Sequence, residues 1–245
     1  MRKRRFIALS LVALCAIPAL CCASQAAVRV VNDGVPGESS AEVDLRLDKA
    51  LTQYHPQAVV IFVGMNDAVN DKKFLPVKQT AEHVSSMVKR SRDAGATVVI
   101  VLVHEPDTKR LLQRHNASVY GDVSPEERIR RLDDALEHIA HTDKMAVADF
   151  HAALIRAGGP TDELSTDGVH LTAKGYALLA ETVRSALPSR MRDTDTVLCM
   201  GDSLTYGIGV RAPGVAAEGK QTYPAQLQRL FHQERTAGRD SRTAQ

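Results

Sequence analysis

Short apolar segments alternate along this chain with longer amphipathic ones, and no other feature constrains the fold as strongly. Residues 58–63 (AVVIFV) and 96–103 (ATVVIVLV) lack the inside–outside alternation of a half-exposed strand, which is typical of strands covered on both faces. The segments between such runs repeat apolar residues at helical spacing. Strands that alternate with helices in this way predict an α/β fold, in which helices cover both faces of a parallel sheet.

The same pattern predicts the individual elements. Five strands are expected, at residues 28–31, 58–63, 96–103, 145–149 and 196–200. Helices are expected at residues 41–54, 77–94, 125–141, 172–187 and 223–233. Ser124 should cap the third of these helices, with Pro125 in its first position. Residues 236–245 are polar and are expected to form a flexible, solvated tail.

Residues 1–26 are typical of a secretory signal. Residues 2–5 are basic, an apolar run follows to about residue 23, and Ser24-Gln25-Ala26 offers small residues to a signal peptidase. Pro18 interrupts the apolar run, which is also shorter than the ~20 residues that a membrane-spanning helix needs. The sequence therefore predicts a secreted or periplasmic protein that is not stably inserted in a membrane.

Removal of this segment changes what the composition implies. The formal charge falls from +2 to −2, since residues 1–26 carry four basic residues and no acidic one, and no basic stripe predicts a nucleic-acid partner. Cys199 is then the only cysteine, which excludes an intramolecular disulfide. Lipoprotein anchoring at Cys21 or Cys22 is the alternative, although Leu20 precedes Cys21 where a small residue is expected. Residues 27–245 can bury one sizeable core, so we expect a single domain.

Polar clusters follow several predicted strands, and in open parallel sheets sites form beyond the carboxyl ends of the strands. Gly201-Asp202-Ser203-Leu204 follows the fifth strand and can present Ser203 on a tight turn. Because serine is a weak nucleophile until a base takes its proton, the chain must also supply a base. Asp167-Gly168-Val169-His170 offers His170 as that base and Asp167 as the acid that orients it. Taken alone, each motif also fits an ordinary turn, a helix cap or a surface histidine.

A site for acyl transfer also needs hydrogen-bond donors for the developing oxyanion. Gly37, in the glycine-containing segment after the first strand, can offer a backbone N–H without a side chain in the way. Asn66, in Gly64-Met65-Asn66-Asp67 after the second strand, can offer its side-chain amide. Each residue alone is also common in structural turns.

Four segments together resemble the sequence blocks of the GDSL or SGNH hydrolases: GDSLTYG at residues 201–207, VVNDGVPGESS at residues 30–40, GMND at residues 64–67 and DGVH at residues 167–170. The resemblance covers essentially all of residues 28–233. It implies the SGNH hydrolase fold, a flavodoxin-like three-layer α/β/α arrangement with a five-stranded parallel sheet. It also implies Ser203 as nucleophile, His170 as base and Asp167 as its orienting acid, and it implies no metal or cofactor. The oxyanion would be bound by Ser203, Gly37 and Asn66.

The order of the blocks departs from that of the family. The family begins with the serine block, whereas here the serine block comes last. Moving the residues from about 194 onward ahead of Val28 restores the family's order, which is what a circular permutation produces. The predicted consequence is that the last strand inserts between the first and the second, which gives the sheet order 1-5-2-3-4.

The resemblance implies an exported serine esterase that acts on a small-molecule or glycan ester. The segments at residues 105–123 and 208–221 are expected to determine specificity, and both are polar with few aromatic residues. Their composition favours short acyl groups, such as acetyl on a carbohydrate. Three alternatives remain open: an extracytoplasmic O-acyltransferase with the same triad, a lipolytic enzyme of the lysophospholipase or thioesterase type, and a non-catalytic binding domain that keeps the fold.

Overall fold

A five-stranded parallel sheet forms the centre of the protein, in a computed structural model that describes residues 27–211 and 219–243, the last five without their side chains. The strands are β1 (Arg29–Gly34), β2 (Ala58–Phe62), β3 (Thr97–Val101), β4 (Ala146–Ala148) and β5 (Thr196–Gly201). Their order is β1-β5-β2-β3-β4, so the predicted strand order is confirmed. The predicted signal and the cysteines within it lie outside the described residues.

Helices follow the strands along the chain, and the longer ones begin and end close to the predicted residues. They are α1 (Ser40–Tyr54), α2 (Met65–Val69), α3 (Val77–Asp93), α4 (Thr108–Leu111), α5 (Pro125–Thr142), α6 (Phe150–Arg156), α7 (Ala173–Ala186), α8 (Ser203–Tyr206) and α9 (Tyr223–Thr243). As predicted, the Ser124 hydroxyl caps α5 by accepting the N–H of Glu127 at 3.2 Å. Within the described residues, no helix is long and apolar enough to cross a membrane.

The helices form two layers around the sheet. α3 packs against α1 and α5, and α7 packs against α6 and α9. Every residue of β2 and β5 is buried, as expected for strands that are covered on both faces. The fold class is therefore α/β with three layers, as the sequence predicted.

The prediction was wrong at the end of α9 and at the end of β1. The helix continues through Thr243, so residues 236–243 are not a tail without structure. Two ion pairs hold the middle of α9 to α7 and to the segment after α7. Arg184 lies 2.7 Å from Glu234, and Arg235 lies 3.7 Å from Asp193. β1 runs on to Gly34, because its last residues keep parallel register with β5 where turn residues had indicated a loop.

Gly34 and Gly201 lie side by side at the carboxyl end of the sheet, where the backbone of α8 crosses Gly34 and the Thr205 side chain of α8 lies over Gly201. A Cβ on Gly34 would lie 2.1 Å from the backbone nitrogen of Tyr206, and one on Gly201 would lie 2.4 Å from the carbonyl oxygen of Phe62. Atoms cannot approach so closely, and backbone cannot move aside as a flexible side chain can. The two glycines therefore allow α8 to rest directly on the ends of the strands.

We expect Gly34→Ala to lower the free energy of unfolding by about 3 kcal/mol, because the added methyl group overpacks a rigid backbone contact. Urea denaturation measures the change. Gly219→Ala is the matched control, since the nearest atom to its Cβ would lie at an ordinary 3.4 Å. Equal urea midpoints for the two variants would contradict the role of this contact.

Candidate active site

Ser203 is the first residue of α8, two residues after β5 ends. The Asp202 carboxylate caps this short helix by accepting the N–H of Leu204 at 2.9 Å. Ser203 is largely buried, with 8% of its surface exposed, at the carboxyl edge of the sheet where the sequence placed it. The turn between β5 and α8 thus fixes the direction of the Ser203 hydroxyl.

The structure brings Ser203 together with His170 and Asp167. The Oγ of Ser203 lies 2.9 Å from Nε2 of His170, and Nδ1 of the same ring lies 2.8 Å from Oδ2 of Asp167. A carboxylate that accepts Nδ1–H leaves Nε2 free to accept the serine proton. The three side chains are thus arranged as a hydrogen-bonded nucleophile, base and orienting acid.

Backbone hydrogen bonds fix the loop that carries the acid and the base. Oδ1 of Asp167 accepts the N–H groups of Val169 at 3.0 Å and of His170 at 2.7 Å. The Ser165 hydroxyl donates to the carbonyl oxygen of His170 at 2.9 Å. Partial burial raises the pKa of Asp167, but its hydrogen bonds with His170 and the charge of that ring outweigh burial and hold the pKa well below its usual range. Asp167 is therefore a stable anion at neutral pH.

A cleft of about 310 Å³ opens beside Ser203, and its lining includes Gly37, Asn66, Leu111, Arg114 and His170. The N–H groups of Ser203 and Gly37 donate to no acceptor within the described residues. Gly37 adopts φ 79°, a conformation that residues other than glycine rarely adopt. Two backbone donors are therefore available to a group that binds in this cleft.

Asn66 lines the cleft, but its amide group is already engaged. Nδ2 donates to the carbonyl oxygen of Glu38 at 2.9 Å and to Oδ2 of Asp202 at 3.1 Å. Its Oδ1 accepts from the Asn70 amide at 3.1 Å. The predicted role of Asn66 as a third oxyanion donor thus requires one N–H to exchange its present acceptor for the bound group.

Two buried carboxylates support the edge of the site. Burial raises the pKa of Asp202 to about 7, against the opposing effect of its hydrogen bond from Leu204. Burial also raises the pKa of Asp67, which accepts the Ser40 N–H at 3.0 Å and the Thr80 hydroxyl at 3.0 Å. Both side chains therefore connect segments around the turns.

Sequence reasoning missed two residues that contact the loop at residues 167–170. Arg114 lies in the predicted specificity segment, and its guanidinium donates to Oδ2 and to the carbonyl oxygen of Asp167. His104 directly follows β3 and its flanking apolar residues, and its Nε2 donates to the carbonyl oxygen of Val169 at 2.9 Å. Neither residue belongs to a motif. The signal for His104 was its position shortly after a strand, and the signal for Arg114 was its place in the segment at residues 105–123.

Comparison with known proteins gives the chain's relatives. A model of the GDSL-like Lipase/Acylhydrolase family matches residues 13–178. This match contains Gly37, Asn66, Asp167 and His170, and it ends before Ser203.

Two curated relatives are esterases by name. Esterase TesA of Pseudomonas aeruginosa is 30% identical over 129 residues, which are 51% of this chain and 62% of TesA. Arylesterase of Vibrio mimicus is 26% identical over 114 residues, which are 46% of this chain and 55% of that protein. The chain thus matches less than two thirds of the length of either relative. A crystal structure of TesA is similar to the chain with a TM-score of 0.50 and 26% identity, over 65% of this chain and 77% of that one.

The free energy of unfolding should depend on pH through His104, which bonds to the loop at residues 167–170. Complete burial lowers the pKa of His104 from 6.5 to about 4. Between these two values the unfolded chain binds more protons than the folded chain, so this residue makes the protein less stable as the pH falls. Gln can donate the same bond to Val169 but does not titrate. We expect His104→Gln to reduce the loss of unfolding free energy between about pH 7 and about pH 4 by roughly 2–3 kcal/mol.

Urea denaturation at a series of pH values measures this difference. His138→Gln, on the exposed side of α5, is the control for the change from histidine to glutamine. If the wild type and His104→Gln lose stability equally on acidification, His104 does not titrate as its burial requires.

Proposed function

The chain belongs to the GDSL-like lipase/acylhydrolase family, and from that premise we propose that it is a carboxylic ester hydrolase with Ser203 as its nucleophile. One observation carries the proposal: the unbroken hydrogen-bond series from Ser203 Oγ through the His170 ring to Asp167, at 2.9 Å and 2.8 Å. This geometry is what a serine needs in order to lose its proton as it attacks.

The reaction follows from the positions of these groups. Ser203 Oγ attacks the ester carbonyl while Nε2 of His170 takes the hydroxyl proton. The carbonyl oxygen becomes an oxyanion, and the free N–H groups of Ser203 and Gly37 stabilise it. His170 then gives its proton to the departing alcohol, which leaves an acyl group on Ser203. Water attacks this acyl-enzyme, with His170 again acting as the base, and releases the acid.

Asp167 keeps the His170 ring in the orientation and the tautomer that this sequence requires. Because its pKa is held low, Asp167 stays ionised and stabilises the positive charge that His170 acquires in each step. Asp202, in contrast, takes no direct part in the reaction in this proposal. Its role is to hold the start of α8, through Leu204, and the amide of Asn66.

The cleft supports short acyl groups as substrates. Its volume of about 310 Å³ lies at the lower end of the range of about 300–1,000 Å³ that is usual for ligand pockets. The lining mixes apolar side chains such as Leu111 and Ile208 with polar ones such as Asn70 and His115. An acetyl ester, including O-acetyl on a carbohydrate, fits this description better than a long lipid chain.

We also propose that the chain is exported and circularly permuted relative to its family. Export rests on the signal-like composition of residues 1–26. Permutation rests on two observations that support it: β5 lies between β1 and β2, and the family match ends at residue 178, before the serine block. Residues 27–245 would then form one hydrolase domain.

Replacement of the nucleophile is the first test. We expect Ser203→Ala to lower kcat/KM for p-nitrophenyl acetate by at least about 10⁴-fold, because the variant lacks the hydroxyl that forms the acyl-enzyme in this proposal. Initial rates on esters from acetyl to palmitoyl also give the chain-length preference, which should favour the shortest. Ser185→Ala, on the exposed face of α7, is the control. Equal activity of Ser203→Ala and the control would contradict the proposal.

The oxyanion donors make a second test. If Asn66 redirects an N–H to the oxyanion, Asn66→Ala should lower kcat by about 10²–10³-fold with little change in KM. Asn70→Ala is the matched control, since Asn70 lines the same cleft and bonds to Asn66. Steady-state kinetics of both variants decide the point. Equal and small losses would leave Ser203 and Gly37 as the donors and remove Asn66 from the mechanism.

A further inference from the structure

We propose that the cleft selects esters that carry a negatively charged group, and that Arg114 binds this group. The proposal rests on the esterase function proposed above and names a substrate class for the same site. The observation behind it is a guanidinium that lines the cleft beside the triad and is paired with the triad's own carboxylate.

Arg114 has a fixed backbone and a partly solvated side chain. Its N–H donates to the carbonyl oxygen of Leu111 at 3.0 Å, and Leu111 is itself buried, with 1% of its surface exposed. The side chain of Arg114 keeps 39% of its surface exposed. An incoming group in the cleft therefore reaches this guanidinium without displacing packed side chains.

Asp167, the present partner of Arg114, has other hydrogen bonds that do not involve Arg114. Asp167 already accepts Nδ1 of His170 and the backbone N–H groups of Val169 and His170. The two bonds of Arg114 to Asp167 occupy two of the five N–H groups that a guanidinium carries. Ion pairs between partly exposed side chains contribute little to stability, so an exchange of partner costs little.

The charges around the cleft favour an anion. Arg114, His115 and His170 line the cleft. No aspartate or glutamate is among the described residues that line it. His115 already faces Asp71 at 3.1 Å, which leaves Arg114 as the permanently charged group of the lining. A carboxylate or phosphate matches the planar fork of N–H groups that arginine presents.

Arg110, one helical turn earlier, has a different function. Its guanidinium bonds to Asp107 at 2.8 Å, to Asp162 at 2.8 Å and to the carbonyl oxygen of Ser165 at 3.1 Å. These partners fasten α4 to the loop before the catalytic acid, and Arg110 does not line the cleft. The two arginines therefore separate anion binding from support of the same loop.

The experiment compares two acetyl esters of equal size, 4-acetoxybenzoate and 4-acetoxybenzamide, which differ in charge. We expect the wild type to prefer the anionic ester. Arg114→Gln should lower kcat/KM for the benzoate at least about 10-fold while that for the benzamide changes less than about 3-fold. Arg114→Lys keeps the charge and should retain part of the preference. Arg110→Gln should leave the ratio of the two kcat/KM values unchanged.

A second pair of esters places the charge on the acyl group: p-nitrophenyl hemisuccinate and p-nitrophenyl butyrate. A preference for the anion in either pair that disappears in Arg114→Gln supports the proposal. If the wild type prefers the anion in neither pair, or if Arg114→Gln lowers both members of each pair equally, the proposal is overturned. Failure of the esterase function itself would be distinct, because Ser203→Ala would then hydrolyse the neutral benzamide as fast as the wild type.

Discussion

The insertion of β5 between β1 and β2 is the constraint on which the rest of the structure depends. Its six residues are all buried; all six pair with β1, and the five from Val197 to Gly201 also pair with β2. This pairing places Gly201 beside Gly34, and the two glycines leave room for the backbone and the Thr205 side chain of α8 at the strand ends. Ser203 thereby reaches the edge where the DGVH loop presents His170. If β5 were displaced, β1 would lose its connection to β2 and the site would lose Ser203, its proposed nucleophile, in one step.

Three carboxylates near the site show how environment decides the role of one chemical group. Burial dominates at Asp67 and Asp202 and raises the pKa of each, and their hydrogen bonds join segments that are distant in sequence. At Asp167, only partly buried, the bonds with His170 and backbone N–H groups prevail and lower the pKa. Asp67 and Asp202 therefore stabilise the structure around the site, and Asp167 is the anion that can support a developing imidazolium.

The fold was predictable because its signals are local or are carried by motifs. Buried strands such as β2 are recognisable from an unbroken apolar run, and the order of the sequence blocks gave the position of β5 in the sheet. The two residues that were missed depend on contacts across the fold. Arg114 meets Asp167 across 53 positions, and His104 meets Val169 across 65. The length of α9 was missed for the same reason, since Glu234 and Arg235, just beyond its predicted end, pair with α7 and the segment after it.

The position of β5 in the sequence also bears on how the molecule folds. Arg29 of β1 pairs with Thr196 of β5, so the pairing of these two strands closes a loop that includes most of the chain. Such a topology has a high contact order, and folding slows as the mean separation of contacting residues grows. Until β5 arrives, β1 and β2 each present an unpaired edge, which is a template for intermolecular association. We therefore expect Ser203 to reach its place late in folding, when β5 completes the sheet.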